Sequence, residues 1–311
     1  MTDTQKILVI KLGALGDFIQ AAGPFTAIRN HHPNAEITLL TTNQFAEFAN
    51  ASPWFDNVEI DPRPKALQIG KWLGLRNWLR SSKFSRIYDL QTSDRSGFYY
   101  KLIWPSVKTG WSGIAPGCSH PHANPRRDLM HTVERQQEQL SMAGIAGVAP
   151  GDFSWVKTNI SGFGLNDNFA LIVPGGAAHR PEKRWPAEHY QSLIQLLTTN
   201  NIQPVLLGGS DEKALLKKLA TTHPNCLSLA GETSINDLFS LAKKAQFAIG
   251  NDTGPMHALA SGGCKTIVLY SLDSDPALCA QRGPDVKILR VGNLVDLSVE
   301  EVIDEIDFGT T

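Results

Sequence analysis

Residues 247–257 read Phe-Ala-Ile-Gly-Asn-Asp-Thr-Gly-Pro-Met-His: an apolar strand-like run, a short polar turn and the start of a helix pattern. A second junction of this kind begins with Ile-Val-Pro-Gly-Gly-Ala at 172–177 and ends with Lys-Arg-Trp-Pro at 183–186. A helix that starts directly after a strand presents free backbone N–H groups and a positive helix end to an anion. The two junctions therefore predict two phosphate-sized sites across parallel strands, and a diphosphate would fill both.

Strand-like runs and helix patterns alternate outward from these junctions, which is typical of βαβ units and a parallel sheet. The predicted strands are 7–10, 36–40, 58–60, 86–90, 169–173, 204–207, 227–229, 247–249, 266–270 and 286–289. The predicted helices are 17–30, 44–51, 65–83, 131–143, 186–199, 211–221, 234–243 and 255–261. We expect an α/β protein with two Rossmann-like, doubly wound parallel-sheet domains facing a central cleft, because ligands bind beyond the carboxyl ends of such strands.

The domain boundary is placed in the Gly-rich stretch 144–164, which gives an N-terminal domain of residues 1–160 and a C-terminal domain of residues 161–311. The last helix begins at a capping box formed by Ser298 and Glu301, and one option is that it packs back on the N-terminal domain. A loop at 112–128, rich in Gly, Pro and His, is expected to be mobile or to cover a ligand.

The composition is that of an ordinary globular protein, with 311 residues, 42% hydrophobic content and 19% charged residues. Its 29 Lys and Arg residues are balanced by 30 Asp and Glu residues, so no overall field would attract nucleic acid. An anionic partner must therefore meet a local patch of positive charge.

The four cysteines form no C-x-x-C pair, which favours a reducing compartment over a disulfide framework. The sequence shows no signal peptide and no apolar run long enough to span a bilayer, so we expect a cytoplasmic protein. A metal site at Cys118, His120 and His122 is an alternative with little support, because the three residues lie in a loop without a zinc-type spacing.

The first predicted strand leads into Lys-Leu-Gly-Ala-Leu-Gly-Asp at 11–17, where Gly13 and Gly16 allow a ligand to approach the backbone. This turn lacks the G-x-G-x-x-G spacing of dinucleotide-binding proteins, which argues against an NAD-dependent oxidoreductase. Asp17 at the helix start has two interpretations. It is a helix cap, or it is a catalytic carboxylate that accepts a proton from a hydroxyl group.

Lys183 and Arg184 also have two interpretations, a solvated pair at a helix start or ligands of a phosphate. Cations at a helix start oppose the helix dipole, which favours the phosphate. Thr253 can offer a hydroxyl and Gly254 a bare N–H to an anion, while His257 is either a further donor or a satisfied core histidine.

Six short motifs in this order resemble glycosyltransferase family 9, the lipopolysaccharide heptosyltransferases. They are the 11–17 turn, Asp89-Leu-Gln91 with Arg95, His-Thr-Val-Glu-Arg at 131–135, Pro-Gly-Gly-Ala at 174–177, Lys-Arg-Trp-Pro at 183–186 and the 251–257 segment. The resemblance implies a GT-B fold, an ADP-heptose donor, a lipopolysaccharide inner-core acceptor, inversion at the anomeric carbon, and neither a metal nor another cofactor.

The resemblance also assigns roles to residues. Asp17 matches the general base and Lys183 the diphosphate-binding catalytic lysine. The expected donor-binding residues are Gly13, Gly16, Pro174, Gly175, Gly176, Arg184, Asp252, Thr253, Gly254 and His257. The expected acceptor-binding residues are Asp89, Gln91, Arg95 and Arg135.

One loop departs from the family pattern, because Ser-Leu-Asp-Ser-Asp-Pro at 271–276 stands where the family often has Gly-Pro-Thr-Asp-Pro. Its Asp-Ser-Asp also matches a metal-binding D-x-D motif of other transferases, but a three-residue match is weak support. Two alternatives stay open: a transferase with another nucleotide sugar or acceptor, and a non-catalytic nucleotide-sugar-binding protein.

A lipid acceptor raises the question of membrane contact. In the predicted helix 65–83, Lys65, Arg76, Arg80 and Lys83 lie within about 60° of one another at 100° per residue. The apolar residues opposite them are Leu67, Trp72, Leu75, Trp78 and Leu79. The helix is expected either to rest on the anionic inner face of the cytoplasmic membrane as a peripheral contact, or to pack on the core.

Overall fold

The computed structural model describes residues 4–103, 108–176, 180–221 and 223–306. Ala177, the last residue of the predicted Pro-Gly-Gly-Ala motif, lies outside the described residues. The chain divides into two compact units, Met1–Asp152 and Phe153–Thr311.

The observed division comes before the boundary placed at residue 160, because the segment that follows Asp152 is anchored in the second unit. The Phe153 ring stacks on Phe239 with 4.4 Å between ring centroids. The Lys243 ammonium donates a hydrogen bond to the Val156 carbonyl oxygen over 2.8 Å. Residues 153–160 therefore belong to the C-terminal unit.

The first unit carries six described strands in one parallel sheet, with the order β3-β2-β1-β4-β5-β6. Its elements are β1 (Lys6–Ile10), α1 (Leu15–Gln20), α2 (Ala22–His31), β2 (Glu36–Thr41), α3 (Asn43–Ala51), β3 (Asn57–Ile60), α4 (Ile69–Ser81), β4 (Arg86–Asp89), α5 (Asp94–Ile103), β5 (Gly110–Gly113), β6 (His120–Pro121) and α6 (Thr132–Met142).

The second unit repeats this arrangement with the order β12-β11-β10-β7-β8-β9 in its described strands. Its elements are β7 (Phe169–Val173), α7 (Ala187–Thr199), β8 (Gln203–Leu206), α8 (Lys213–Ala220), β9 (Leu227–Ser228), α9 (Ile235–Ala242), β10 (Ala248–Asn251), α10 (Gly254–Ser261), β11 (Thr266–Tyr270), α11 (Pro276–Cys279), β12 (Val286–Arg290) and α12 (Val299–Ile303).

Both sheets have the strand order 3-2-1-4-5-6 when each is numbered from its own first strand, which is the Rossmann order. The order reverses between β1 and β4 in one unit, where Val9 lies beside Tyr88. It reverses between β7 and β10 in the other, where Ile172 lies beside Ile249. The predicted doubly wound α/β architecture is confirmed. Ligands of such sheets generally bind at the reversals of strand order.

The first strand of each sheet is buried on both faces, as expected when helices cover a parallel sheet. Their sequences, Ile-Leu-Val-Ile at 7–10 and Phe-Ala-Leu-Ile-Val at 169–173, are continuous apolar runs for this reason. Trp185 and Tyr190 pack beside β7 in the core of the second unit. The site loops thus start from rigid, fully packed positions.

Several predicted helices have different limits in the structure. The helix predicted at 17–30 is two helices, α1 and α2, with Ala21 between them, so Asp17 is the third residue of α1. The helix predicted at 65–83 begins only at Ile69. The last helix, α12, buries Val299 and Val302 in the core of the second unit and is part of that unit.

The alternation of patterns missed α5, β5, β6 and α11. The loop expected at 112–128 contains β6, which pairs with β5 through Ser112 and His120. These strands are short and contain Gly, Pro and His, so their sequences lack the apolar run that identifies β1 or β7. Among the described helices, none has the length and apolar character needed to cross a membrane.

Candidate functional site

The loops that follow β1 and β4 are held together at the switch point of the first sheet. The Leu12 backbone N–H donates to Gln91 Oε1 over 2.7 Å. The Lys11 ammonium donates to the Leu90 carbonyl oxygen over 3.1 Å. Gly13 adopts a φ of +131°, which favours glycine and sets the direction of the turn into α1.

Asp17 lies at the mouth of this turn and is partly exposed. Its Oδ2 accepts a hydrogen bond from the Ala14 backbone N–H over 3.3 Å. Asp17 therefore caps the helix from its third residue, and it also lines a cavity of about 40 Å³. The other side chains around this cavity come from Lys11, Leu90, Gln91, Thr92, Arg135, Gln136 and Gln139.

Lys11, which the sequence did not single out, is the buried cation of this cavity. Burial lowers the pKa of its ammonium group, and Arg135 lowers it further. Asp17 and Asp89 act in the opposite direction, because both carboxylates favour the charged lysine. The carboxylate predicted as the base therefore lies close enough to the buried lysine to favour its charged form.

Asp89 is completely buried at the end of β4. Its Oδ1 accepts hydrogen bonds from the backbone N–H groups of Gln91 and Thr92, over 3.1 and 3.0 Å. Burial raises the pKa of Asp89 to about 6 despite these bonds. The carboxyl group holds the loop that carries Gln91, and its predicted contact with an acceptor stays a prediction.

Helix α6 brings three polar side chains to the cavity: Arg135, Gln136 and Gln139. Gln139 Nε2 donates to the Asp89 carbonyl oxygen over 2.9 Å. In the described part of the chain, neither amide atom of Gln136 has a hydrogen-bond partner, and the same holds for Gln139 Oε1 and Asp89 Oδ2. Buried polar atoms without partners are uncommon, so a polar ligand would complete this cluster.

The i, i+1, i+4 spacing of these three residues on one helix was a signal that the sequence offered. Arg135 was identified from the family motif at 131–135 alone, and not from this spacing. Arg127 was missed as well: it shares Asp128 with Arg135, over 2.8 Å from Arg127 Nη1 and 4.0 Å from Arg135 Nη1. Two arginines therefore converge beside the cavity.

Arg95, predicted to bind the acceptor, does not line this cavity. Its Nη1 donates to the carbonyl oxygen of Pro64 over 3.3 Å, in the loop after β3. Tyr99 and Asp61 are near neighbours, joined by a 2.7 Å hydrogen bond from the tyrosine hydroxyl. The structure thus brings together Asp17, Gln91 and Arg135 and leaves Arg95 with another loop.

The residues considered as a metal site at Cys118, His120 and His122 are occupied by other contacts. His122 Nε2 lies 2.7 Å from Glu138 Oε2. Cys118 Sγ contacts the Gly113 carbonyl oxygen over 3.7 Å. Among residues 4–103, 108–176, 180–221 and 223–306, no group of three or more His, Cys, Asp or Glu side chains is arranged to hold a metal ion.

In the second unit, Asn251 joins the two junctions that the sequence singled out. Its Nδ2 donates to the carbonyl oxygens of Pro174 and Gly175, over 2.9 and 3.0 Å. Its Oδ1 accepts from the Trp185 backbone N–H and from the Tyr190 hydroxyl, each over 3.0 Å. One buried amide at the end of β10 thus holds the loop after β7 and the start of α7.

Lys183 and Asp252 meet beside this amide. The lysine Nζ lies 3.2 Å from Asp252 Oδ2, and the two side chains are 14% and 10% exposed. Burial acts to raise the pKa of Asp252, but the Ser274 hydroxyl, the Lys183 ammonium and His257 outweigh it and lower the pKa. Asp252 is therefore a carboxylate that orients the predicted diphosphate-binding lysine.

The loop that departs from the family pattern contributes to the same carboxylate. The Ser274 hydroxyl donates to Asp252 Oδ2 over 2.6 Å. Gln281 Nε2 donates to Asp252 Oδ1 over 3.1 Å and lies 3.2 Å from His257 Nε2. Neither Ser274 nor Gln281 was identified from the sequence, because nothing in their local pattern indicates a contact with Asp252.

Helix α10 starts at Gly254 with Thr253 as the N-cap residue and Pro255 in its first turn. Thr253 has an extended backbone, with φ of −145° and ψ of 163°. Its Oγ1 is buried and, as far as the structure describes the chain, has no hydrogen-bond partner. A helix N-terminus with this hydroxyl group beside it is suited to binding an anion.

The glycines after β7 face a carboxylate rather than open space. Gly176 N–H donates to Glu212 Oε1 over 2.7 Å, and Gly209 N–H donates to Glu212 Oε2 over 2.8 Å. A Cβ at Gly175 would displace the Glu212 carboxylate from this position. The Arg184 guanidinium donates to the Gly176 carbonyl oxygen and folds onto the same loop.

Comparison with known proteins agrees with this arrangement. The profile of glycosyltransferase family 9 (heptosyltransferase) matches residues 72–294. Lipopolysaccharide heptosyltransferase 2 of Escherichia coli strain K12 is 25% identical over 345 aligned residues, with 97% of each chain covered.

Two solved structures share the fold. The glycosyl transferase family 9 protein from Veillonella parvula DSM 2008 aligns with a TM-score of 0.82 and 19% identity, over 97% of this chain and 96% of that chain. The E. coli heptosyltransferase WaaC with ADP-2-deoxy-2-fluoro heptose aligns with a TM-score of 0.75 and 19% identity, over 96% of this chain and 98% of the other. The two Rossmann-like units are those of the GT-B fold. Because the family profile spans well over half of its length, the chain belongs to glycosyltransferase family 9, the heptosyltransferases.

Proposed function

We propose that this chain transfers heptose from ADP-heptose to an inner-core acceptor of lipopolysaccharide, with inversion at the anomeric carbon. The observation that carries the proposal is the meeting of Lys183, Asp252 and the Thr253 start of α10 at the switch point of the second sheet. Support for the donor and acceptor comes from relatives, one named a lipopolysaccharide heptosyltransferase and another solved with an ADP-heptose analogue.

The second unit would bind the diphosphate of the donor. An ammonium group has three N–H donors, so Lys183 keeps donors for phosphate oxygens while one faces Asp252. The Thr253 hydroxyl and the Gly254 N–H add neutral donors from the start of α10. Negative charge grows on the diphosphate as the glycosyl bond breaks, and fixed donors stabilise that charge more in the transition state than in the ground state.

The first unit would bind the acceptor and activate its hydroxyl group. Arg135, Gln136 and Gln139 present one cation and unpartnered amide atoms, within the described residues, beside Asp17. These groups suit an acceptor with hydroxyl and acidic substituents. Asp17 would take the hydroxyl proton late in the reaction, when the attacking oxygen has become acidic.

The reaction is a single displacement. The acceptor oxygen forms a bond to the anomeric carbon from the face opposite the diphosphate, and the bond between that carbon and the phosphate oxygen breaks. The acceptor proton moves to Asp17, and ADP leaves with the electron pair of the broken bond. Attack from the opposite face inverts the anomeric configuration.

The test is an Asp17→Asn variant assayed with ADP-heptose and a deacylated inner-core acceptor. The expected result is loss of ADP release with unchanged ADP binding by calorimetry. Full ADP release would remove Asp17 as the base. If the wild-type chain binds ADP-heptose but releases no ADP with any inner-core acceptor, it is a transferase with another acceptor or a nucleotide-sugar-binding protein instead.

A transferase with another nucleotide sugar is the second candidate, favoured by the 271–276 loop. That loop places Ser274 on Asp252, next to the proposed diphosphate site, and it differs from the family pattern. Calorimetry with ADP, GDP and UDP separates the two candidates. The proposed contacts involve only the diphosphate, so they do not determine which nucleotide base the donor carries. Preference for GDP or UDP would favour the second.

A further inference from the structure

The segment from residue 62 to residue 88 contains seven cationic residues and no Asp or Glu. The whole chain is balanced, with 29 basic and 30 acidic residues, so this concentration of positive charge is local. The segment includes α4 and the loop that leads into it. The cations are Arg63, Lys65, Lys71, Arg76, Arg80, Lys83 and Arg86.

The same segment exposes three large apolar side chains. Leu67 is 93% exposed, Ile69 67% and Leu73 51%. Another face of helix α4 packs on the first unit, where Leu75 and Leu79 are buried in the core. Of the apolar arc predicted from the sequence, Leu75 and Leu79 therefore face the core, whereas Leu67 is exposed together with Ile69 and Leu73.

The exposed Ile69, Leu73 and Arg80 and the half-buried Arg76 form a stripe along α4. At 100° per residue, Ile69, Leu73, Arg76 and Arg80 fall within about 60° of one another, apolar toward the start of the helix and cationic toward its end. A methyl group placed on Gly70 or Gly74 would meet no atom within 4 Å. We call the set Leu67, Ile69, Leu73, Arg76 and Arg80 the α4 patch.

We propose that the α4 patch docks the protein on an anionic phospholipid bilayer. Leu67, Ile69 and Leu73 would enter the boundary between headgroups and acyl chains, while Arg76 and Arg80 contact headgroup phosphates. Apolar side chains beside cations, with no acidic residue between them, are the composition of helices that lie in this boundary. An anionic surface complements the charge of the whole segment, and Lys65 and Lys71 add to the attraction.

The test is sedimentation of the full chain with vesicles that contain neither nucleotide nor saccharide, so its result does not depend on the proposed function. The expected result is binding to phosphatidylglycerol–phosphatidylethanolamine vesicles and little binding to phosphatidylcholine. A Leu67→Gln/Ile69→Gln/Leu73→Gln variant should lose at least about tenfold in partitioning, since each side chain contributes buried apolar area. An Arg76→Gln/Arg80→Gln variant should lose roughly fivefold per cation and much of its salt dependence.

Matched controls use residues of similar exposure elsewhere. Met142→Gln/Val295→Gln removes exposed apolar side chains, and Lys217→Gln/Lys218→Gln removes exposed cations of α8. Both controls should bind vesicles like the wild type. ADP release with a water-soluble deacylated acceptor should be unchanged in the α4 patch variants.

Several outcomes would overturn the proposal. They are absence of vesicle binding, equal binding to neutral and anionic vesicles, and equal losses in the α4 patch and control variants. If the α4 patch instead joins two copies of the chain, sedimentation equilibrium without vesicles would show a dimer that the apolar variant dissociates, while vesicle binding stays unchanged. That pattern would also reject the bilayer as the partner.

Discussion

The Lys183 ammonium lies 3.2 Å from Asp252 Oδ2, although 69 positions separate the two residues in the chain. The contact exists because the loop before α7 and the end of β10 meet at the switch point of the second sheet. It gives the lysine side chain a fixed direction. If Lys183 binds the diphosphate as proposed, less reorganisation is needed at the transition state.

Replacing Lys183 with methionine should abolish most of the transferase activity. The variant removes the positive charge and leaves the Asp252 carboxylate beside the proposed diphosphate site. We expect ADP release to fall roughly 100- to 1,000-fold, as when one main electrostatic donor is lost. Lys217→Met, an exposed lysine of the same unit, is the control. Equal activity of both variants would show that Lys183 does not act on the leaving group.

Replacing Asp17 with asparagine should separate catalysis from folding. Asparagine can still accept the hydrogen bond from Ala14, so the free energy of unfolding should change by less than about 1 kcal/mol. The rate of transfer should fall roughly 100- to 10,000-fold, the range for loss of a general base. Asp94→Asn, at an exposed helix start in the same unit, should leave the rate intact.

Asp89 should make the stability of the first unit depend on pH. Burial raises its pKa to about 6 in the folded chain, from an ordinary value of 3.8, so folding favours the protonated form. Its contribution to stability is present below the unfolded pKa and is lost as the pH rises through about 6.

The measurement for Asp89 is amide hydrogen exchange of β1 and β4. Between about pH 4 and pH 7, the opening free energy of the wild type should fall about 2 kcal/mol more than that of Asp89→Asn, which stays neutral. Identical pH dependence in the two proteins would mean that Asp89 ionises as easily folded as unfolded.

Replacing Thr253 with valine should weaken nucleotide binding without harming the unliganded protein. The hydroxyl is buried and has no partner within the described residues, so removing it breaks no hydrogen bond that the structure shows. We expect about tenfold weaker ADP binding by calorimetry, the value of one hydrogen bond to a charged group. Thr199→Val, on the exposed end of α7, is the matched control. Unchanged ADP affinity in Thr253→Val would place the diphosphate elsewhere.

Arg135 and Arg95 were both predicted to bind the acceptor, but only Arg135 lines the cavity with Asp17. Arg135→Met should therefore raise the KM for a deacylated acceptor at least about tenfold, because it removes a charge-assisted hydrogen bond. Arg95→Met should raise it much less, since Arg95 contacts the Pro64 carbonyl oxygen. The reverse ranking would move the acceptor to the loop after β3.

The sequence was sufficient for the architecture because buried parallel strands such as 7–10 and 169–173 must be apolar throughout. The sequence also allowed the prediction that Lys183 lies near Asp252, since both residues follow strands of one sheet. It was not sufficient for Ser274, Gln281 or Glu212. Their contacts depend on the path of a loop and on the rotamer of a side chain, and neither leaves a periodic signal.

Long, fully buried strands can be predicted from the sequence more readily than short ones. The short strands β5 and β6 pair only a few residues, and Ser119, which bonds to Trp111, looks like any loop serine in the sequence. In helix α6 the family motif identified Arg135 but not Gln139, whose amide reaches the end of β4.

Asn251 makes the proposed donor site vulnerable to the replacement of a single atom. Its amide nitrogen donates to two carbonyl oxygens, and its amide oxygen accepts from two donors. An aspartate at position 251 would keep the shape of the side chain but set an anionic oxygen against those carbonyl oxygens. An Asn251→Asp replacement would therefore loosen the attachment of both loops at once.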